Sequence, residues 1–259
     1  MKIEKEEETF DKRLAEMGIR IKDADAVKVS ENVFDEVTLL ALYKLVHKKW
    51  LSAIGGSIST GKEANIFLGE RGDGAVAIKI YRIQSANFTT MSSYIIGDRR
   101  FTNVKKAKKE LIFAWTKKEF ANLARAKEAG LPVPEPLVFD RNILIMEFLG
   151  ENERPYPQLR NVELEDPAQV YATVVSMIDT LYKKAELVHG DLSEFNILYH
   201  DQPYLIDMGQ SVTRDHPRAL QFLMRDIRNV NRFFKKKGCD VESEYAIFGR
   251  VTGLEVKQP

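Results

Sequence analysis

The chain has one cysteine, Cys239, which excludes an intrachain disulfide and a cysteine-rich metal cluster. Its four histidines, His47, His189, His200 and His216, are too scattered for a zinc motif, so each reads as structural or exposed. No apolar run reaches the length that crosses a bilayer, and the opening Met1-Lys2-Ile3-Glu4-Lys5-Glu6-Glu7-Glu8 lacks the apolar stretch of a signal peptide. The expectation is a cytoplasmic protein with no membrane partner. Charge imbalance is missing too: 39 basic and 38 acidic side chains leave +1, which is no global argument for nucleic acid binding. Local basic patches remain at Lys44 with His47-Lys48-Lys49, and from Arg99 to Lys109. What is present is 259 residues of ordinary folded composition, enough for one large unit or two intimate lobes.

Phe10, Leu14 and Met17 recur at helical spacing before a break at Gly18. Residues 33–50 predict a stronger helix, with Phe34, Val37, Ala41 and Leu45 on one stripe that Val33, Leu40 and Leu42 widen, and with a basic last turn suited to the helix dipole. From Trp50 short apolar runs predict strands at 51–54, 64–68 and 75–81, the last two joined by the turn Glu70-Arg71-Gly72-Asp73-Gly74. Residues 82–103 read as a long polar, aperiodic connection, functional or disordered. A helix is expected over 104–129, ended by Pro132 and Pro134, then strands at 137–139 and 143–149. A long helix carrying Val170, Val174, Val175, Ile178 and Leu181 follows, then strands at 197–199 and 204–206 and a helix in 217–237. This order predicts an α+β chain of two lobes around a cleft.

The densest polar cluster is Val188-His189-Gly190-Asp191-Leu192-Ser193-Glu194-Phe195-Asn196, followed by Ile206-Asp207-Met208-Gly209-Gln210. Phosphoryl transfer needs a carboxylate to position or deprotonate the nucleophile, and an amide oxygen and second carboxylate to hold a hard cation; Asp191, Asn196 and Asp207 supply those groups. The same residues beside short strands also serve as turn caps. Ser59-Thr60-Gly61-Lys62-Glu63-Ala64-Asn65 reads either as a phosphate-binding turn or as a plain hairpin, and its spacing is not that of a Walker A loop. Lys79 lies in the apolar run 75–81, where a buried ammonium requires an anion or exposure; Glu119 on the following helix is a candidate partner, against a plain sheet-edge lysine and exposed glutamate.

Taken together, these motifs resemble the RIO family of atypical protein kinases, in particular its first subgroup, which includes archaeal members. Ser59 to Asn65 is similar to that subgroup's phosphate-binding loop, and Ile206-Asp207-Met208-Gly209-Gln210 to its metal-binding segment. The resemblance covers residues 50–235. It implies a compact bilobal kinase-like fold with a helical extension over 1–49, an N-lobe over 50–149 and a reduced C-lobe over 150–259. His189-Gly190-Asp191 stands where ordinary kinases have His-Arg-Asp, Asp207-Met208-Gly209 stands for Asp-Phe-Gly, and no Ala-Pro-Glu segment follows Gln210. A conventional activation segment and peptide-docking subdomains are therefore not expected.

The resemblance further implies ATP as substrate with Mg²⁺ or Mn²⁺. Asp191 is then the catalytic aspartate, Asn196 and Asp207 the cation-binding positions, and Lys79 the phosphate contact paired with Glu119. Ser59, Thr60, Gly61, Lys62 and Glu63 would line the phosphate loop. Met146, with the backbone of Glu147 and Leu149, would meet the adenine. Family members act in late maturation of the small ribosomal subunit, with serine autophosphorylation and an ATP hydrolysis; the resemblance implies that Asp191 or Asp207 receives a transient phosphoryl group there, Asp207 being preferred. The implied partners are precursor small subunits and their RNA, contacted through basic segments near Lys48 and Lys105, and a protein substrate that includes the chain itself. Two other functional classes stay open: a nucleotide-gated ribosome assembly module, and a purely structural RNA-binding protein.

Overall fold

A short parallel strand pair and a helix fixed by its cap begin the described part of the chain. The structure is a computed structural model that describes residues 20–21, 34–72, 74–83, 88–101, 104 and 107–255. The expected helix around Phe10, Leu14 and Met17, and with it residues 1–19 and 22–33 of the expected 1–49 extension, lies outside the described residues, as do Asp73, Gln84 to Asn87 and Lys105. The chain divides into two units: one takes the residues up to Thr89 with Val104–Phe120 and Pro136–Pro155, the other Thr90–Asn103, Ala121–Glu135 and residues from Tyr156 onward.

In the first unit the helix α1, Glu36–His47, starts where the Asp35 carboxylate accepts from the Thr38 backbone N–H at 2.9 Å and its hydroxyl at 2.8 Å. Lys44 and His47 in its last turn suit the dipole, as expected. Leu39, Ala41, Leu42 and Leu45 are buried, whereas Leu40 is 50% exposed and falls outside the stripe assigned to it, because it projects to the flank opposite Leu42. The strands β1 (Arg20–Ile21), β2 (Ala53–Thr60), β3 (Ala64–Arg71), β4 (Gly74–Tyr81), β5 (Pro136–Asp140) and β6 (Ile143–Glu147) form one sheet in the order β1-β2-β3-β4-β6-β5, with only the β1–β2 pair parallel. β2 starts later than the apolar run 51–54 suggests and runs to Thr60, so Ser59 and Thr60 pair with Ile66 and Asn65 inside the sheet. Phe34, Leu42, Leu45, Phe67, Ile78 and Ile145 make the apolar core under this sheet. Each such side chain contributes about 1.5–3 kcal/mol on burial. Asn142, at the β5–β6 turn, donates to the Thr38 hydroxyl at 2.8 Å and the Tyr81 carbonyl at 2.9 Å, pinning α1 to the end of β4. The small hairpin β7 (Gly150–Glu151) and β8 (Arg154–Pro155) also belongs to this unit.

The 82–103 segment is not a structureless connection among its described residues: it holds the helix α2, Phe88–Ile95, and a 3-10 turn, Arg99–Phe101. Met91, Tyr94 and Ile95 are buried, a three-and-four spacing hidden by the serines and threonines around it. The helix α3, Lys108–Glu128, contributes residues to both units.

The second unit is mainly helical. Asp166 caps α4, Pro167–Lys183, and Val170, Val174, Val175, Ile178 and Leu181 are buried along it as the periodicity predicts. Strands β9 (Leu187–Val188) and β12 (Val212–Thr213) pair antiparallel, and so do β10 (Ile197–Tyr199) and β11 (Pro203–Leu205). The 18-residue helix α5, Ala219–Lys236, and the short α6, Glu244–Thr252, complete it. Residues 211–218 alone separate Gln210 from α5, so a long activation segment has no room there.

Candidate functional site

In the first unit β4 is buried from Val76 to Tyr81, which places the Lys79 ammonium inside an apolar strand. Its Nζ lies 2.7 Å from Glu119 Oε1, with the two side chains 6% and 1% exposed. Tyr81, two residues along and therefore on the same face of the strand, donates its hydroxyl to Glu119 Oε2. The sequence pairing of Lys79 with Glu119 is thus what the geometry has, and the expected alternative of a sheet-edge lysine with an exposed glutamate is not. Of the phosphate-loop candidates, Gly61, Lys62 and Glu63 form the β2–β3 turn, where Gly61 N–H donates to Ala64 O and Arg82 N–H donates to Glu63 O, each at 2.9 Å. A Cβ on Gly61 would stand 2.8 Å from the Ala64 carbonyl oxygen, so the turn needs glycine. Ser59, Thr60 and Lys62 are exposed. Met146 and Leu149 are buried, and Met146 pairs with Ala77 while Glu147 ends β6 opposite Val76.

In the second unit the loop after β9 brings Asp191, Asn196 and Gln210 together. Asn196 Nδ2 donates to the Asp191 carbonyl at 2.8 Å and to its Oδ2 at 3.2 Å, and Gln210 Nε2 donates to the same Oδ2 at 3.2 Å. Burial and the neighbouring Asp207 charge push the Asp191 carboxyl above the usual carboxylate range, opposed by Arg225 and the Asn196 hydrogen bond. That repulsion registers Asp207 as an electrostatic neighbour of Asp191. Asp207 follows β11 with φ 62° and ψ 59°, a left-handed conformation that costs a non-glycine residue about 1–2 kcal/mol. Gly190, at φ +80°, has the other special backbone: a Cβ there would lie 2.8 Å from the Gln210 carbonyl oxygen.

The loop is held from beneath by α5. Asp226 is buried and accepts from Gly190 N–H at 2.7 Å and Leu192 N–H at 3.0 Å; burial pushes its carboxyl up to about 7 against the pull of those two donors. Arg225 donates to the Gly190 carbonyl and to the Tyr94 hydroxyl, and Asn229 donates to the Leu192 carbonyl at 3.1 Å. The turn Met208–Gln210 is held by Asn122, whose buried amide donates to the Met208 and Ser211 carbonyls at 2.8 and 2.9 Å. Its own Oδ1 accepts from Arg100 at 2.9 Å, and Arg100 is ion-paired with buried Asp98 at 2.7 Å.

The donor set suits a hard cation. With its nitrogen turned to Asp191, Asn196 presents Oδ1 as an oxygen ligand, and the mutual repulsion of Asp191 and Asp207 is what a divalent ion would neutralise. Among the described residues no group of three or more His, Cys, Asp or Glu could hold a metal by itself. The fit is therefore to an ion that takes one or two carboxylates and completes its shell with phosphate oxygens and water.

Asp226, Arg225, Asn229, Asn122, Arg100 and Asp98 escaped the sequence reading. A signal for Asp226 exists: it occupies the stripe Phe222, Leu223, Ile227, Val230, where an acid has no packing role. Asn122 carries no such mark, since its partners are backbone carbonyls more than 80 residues away.

A family model described as RIO domain matches residues 65–247. The chain is 46% identical over 247 residues to RIO-type serine/threonine-protein kinase Rio1 of Haloferax volcanii, covering 95% of this chain and 84% of that protein. It is 38% identical to the human serine/threonine-protein kinase RIO1, covering 90% of this chain but 42% of the human protein, so it spans under half of that relative's length. Among solved structures it is similar to the Rio2 kinase of Chaetomium thermophilum in an ADP/Mg²⁺-phosphoaspartate complex, at a TM-score of 0.65 and 29% identity over 80% of this chain and 62% of that one.

Proposed function

The chain belongs to the RIO family, and on that premise we propose that it is an ATP-dependent serine/threonine protein kinase, an ATPase, or both, acting in late maturation of the small ribosomal subunit. The carrying observation is the Asp191 carboxylate held by Asn196 and Gln210 beside the charge of Asp207. Mg²⁺ or Mn²⁺, held by Asp207 and Asn196 Oδ1, would neutralise charge on the phosphate oxygens. Lys79, aimed by Glu119 and Tyr81, contacts the phosphates, together with the turn Ser59 to Glu63. Met146 and the backbone of Glu147 and Leu149 meet the adenine. The divisions at 1–49, 50–149 and 150–259 are the working parts of this reading.

Asp191, its carboxyl raised by burial, accepts the proton of a serine hydroxyl as that oxygen bonds to the γ-phosphorus and the bond to the β-phosphate oxygen breaks, releasing ADP. In the ATPase branch an Asp207 carboxylate oxygen makes the same bond, and water then cleaves the acyl phosphate to inorganic phosphate. The phosphoaspartate in the Chaetomium thermophilum relative supports this branch. So do residues 211–218, which are too few to build the platform on which ordinary kinases lay a peptide. That brevity also favours the second reading, a nucleotide-gated assembly module whose main output is a change in affinity for precursor subunits and their RNA. The location proposed is the cytoplasm; no described helix is long and apolar enough to cross a membrane.

The test is to label the protein with ATP carrying a labelled γ-phosphate and treat the product with hydroxylamine, which cleaves acyl phosphates and leaves phosphoserine. Wild type is expected to carry label, Asp207→Asn to lose the hydroxylamine-sensitive fraction, and Asp191→Asn to lose transfer to serine. Neither label nor ATP turnover above background in wild type would end the enzyme reading. Equal affinity for precursor subunits with and without ATP would end the gating one.

A further inference from the structure

The chain as a whole is charge-balanced, yet the solvent side of α5 is not. The helix buries Ala219, Phe222, Leu223, Asp226, Ile227, Val230, Phe233 and Phe234 on one side. The opposite side carries Arg228, Arg232, Lys235 and Lys236, with Arg225 at its margin turned to the Gly190 carbonyl and the Tyr94 hydroxyl and Arg218 continuing the row backward to the N-cap. The only acid in the helix is Asp226, which is buried and engaged with the Gly190 and Leu192 amides. The result is a row of cations about 27 Å long with no carboxylate of its own helix among them.

Ordinary solvation and helix-end stabilisation explain only part of this row. Lys235 and Lys236 sit in the last turn, where cations are favourable, but Arg228 is mid-helix and Arg218 stands at the N-terminal end, where the dipole opposes it. Arg228 meets Glu244 at 3.0 Å in an exposed pair of the kind that is readily exchanged. Arg218, Arg232, Lys235 and Lys236 have no carboxylate within ion-pair distance among the described residues. Arg218 lies over the Phe222 ring and Arg232 donates to Asn229. A hollow of about 600 Å³ runs beside the C-terminal half of the row, lined by Arg228, Arg232, Lys235 and Lys236 on one side and by Val241 and Tyr245 on the other. The two acids at its edge are already matched, Glu244 by Arg228 and Glu242 by Arg250.

We propose that this face of α5 binds the phosphate backbone of RNA. A protein partner would draw its affinity from buried aromatic or aliphatic anchors, and of the residues lining the hollow Val241 and Tyr245, both half-buried, are the apolar surface on offer against four cations; a polyanion draws its affinity from the charges alone. The choice of RNA over DNA rests on the ribosome-assembly reading above, while the surface rests on the charge of α5. The basic patch read from the sequence at residues 44–49 is a weaker candidate, since Lys44 is engaged by Asp140 at 2.5 Å. The other, at 99–109, is partly outside the described residues.

The test measures binding of a fluorescent single-stranded RNA by anisotropy from low to moderate salt, for wild type, Arg232→Gln/Lys235→Gln/Lys236→Gln, and Lys48→Gln/Lys49→Gln. Four engaged phosphates predict a slope of log affinity against log salt near −3, since each contributes about 0.7 on a single strand. The triple variant is expected to flatten the slope by about 2 and weaken binding at least tenfold, with the Lys48/Lys49 variant unchanged. Lys236→Gln alone, flattening it by about 0.7, keeps the test if the triple variant does not fold. Wild-type affinity and slope in the α5 variants, loss confined to the Lys48/Lys49 variant, or tighter binding of a polyglutamate peptide would each overturn the proposal. ATP turnover is read on the same proteins: loss of RNA binding with turnover intact concerns this surface, and loss of turnover in Asp207→Asn with RNA binding intact concerns phosphoryl transfer.

Discussion

Asp226→Asn should change the way stability depends on pH, and by an amount the structure sets. Asp226 is fully buried, and its carboxyl is raised to about 7 chiefly by loss of solvation. In the unfolded chain the group returns to about 3.9. An acid whose folded value is raised stabilises the fold in its protonated form: that contribution is complete below the unfolded value and is lost as pH rises through the folded one. Between pH 5 and pH 8 the linkage integral gives a loss of about 2.5 kcal/mol in wild type. Asparagine does not titrate, so the variant lacks this loss. It also loses one of the two N–H bonds, because its oxygen serves Gly190 or Leu192 but its NH₂ cannot accept from the other, a cost of about 1–3 kcal/mol. Urea denaturation at both pH values should therefore find the variant clearly weaker than wild type at pH 5, with the gap shrinking by about 2.5 kcal/mol at pH 8. A gap of the same size at both would refute the assignment of Asp226 as the titrating loop anchor.

Glu119→Gln removes the carboxylate charge 2.7 Å from the buried Lys79 ammonium, so a loss of about 3–5 kcal/mol in denaturation and at least tenfold weaker ATP binding are expected. Gly190→Ala forces a left-handed alanine whose Cβ meets the Gln210 carbonyl; melting temperature and label transfer should both fall, and unchanged values would show that the loop yields. Asn122→Ala strands two buried carbonyls and one Arg100 donor, for about 2–4 kcal/mol, with slower phosphate transfer because the turn after Asp207 loses its anchor. Full stability in that variant would mean water replaces the amide.

Most of the element order is legible in the amino-acid pattern. β4 betrays itself as a run from Ala75 to Tyr81 interrupted by one lysine, and that interruption points to Glu119, because a buried ammonium has few possible partners within reach of the next helix. Asp191, Asn196 and Asp207 are legible as a cluster of oxygen-bearing side chains on short loops, a pattern that turn caps share, and it is the family resemblance that gives each of them a role. Residues 82–103 misread as a loop because Met91, Tyr94 and Ile95 set too weak a period among small polar neighbours, and the helix exists by virtue of what those three bury against. Ser59 and Thr60 misread as loop because pairing with Ile66 and Asn65 is a property of the sheet.

What the sequence determined by itself was which residues are candidates for the chemistry, since charge, oxygen ligands and apolar period are local and need no neighbours to be recognised. Only the tertiary structure decided how they are aimed: Asp226 on the Gly190 amide, Asn122 on the Met208 carbonyl, and a row of cations along one side of α5 in a chain of nearly zero net charge. Backbone amides and carbonyls are the same at every position of a sequence, so which of them a buried side chain will serve is settled only when the chain folds.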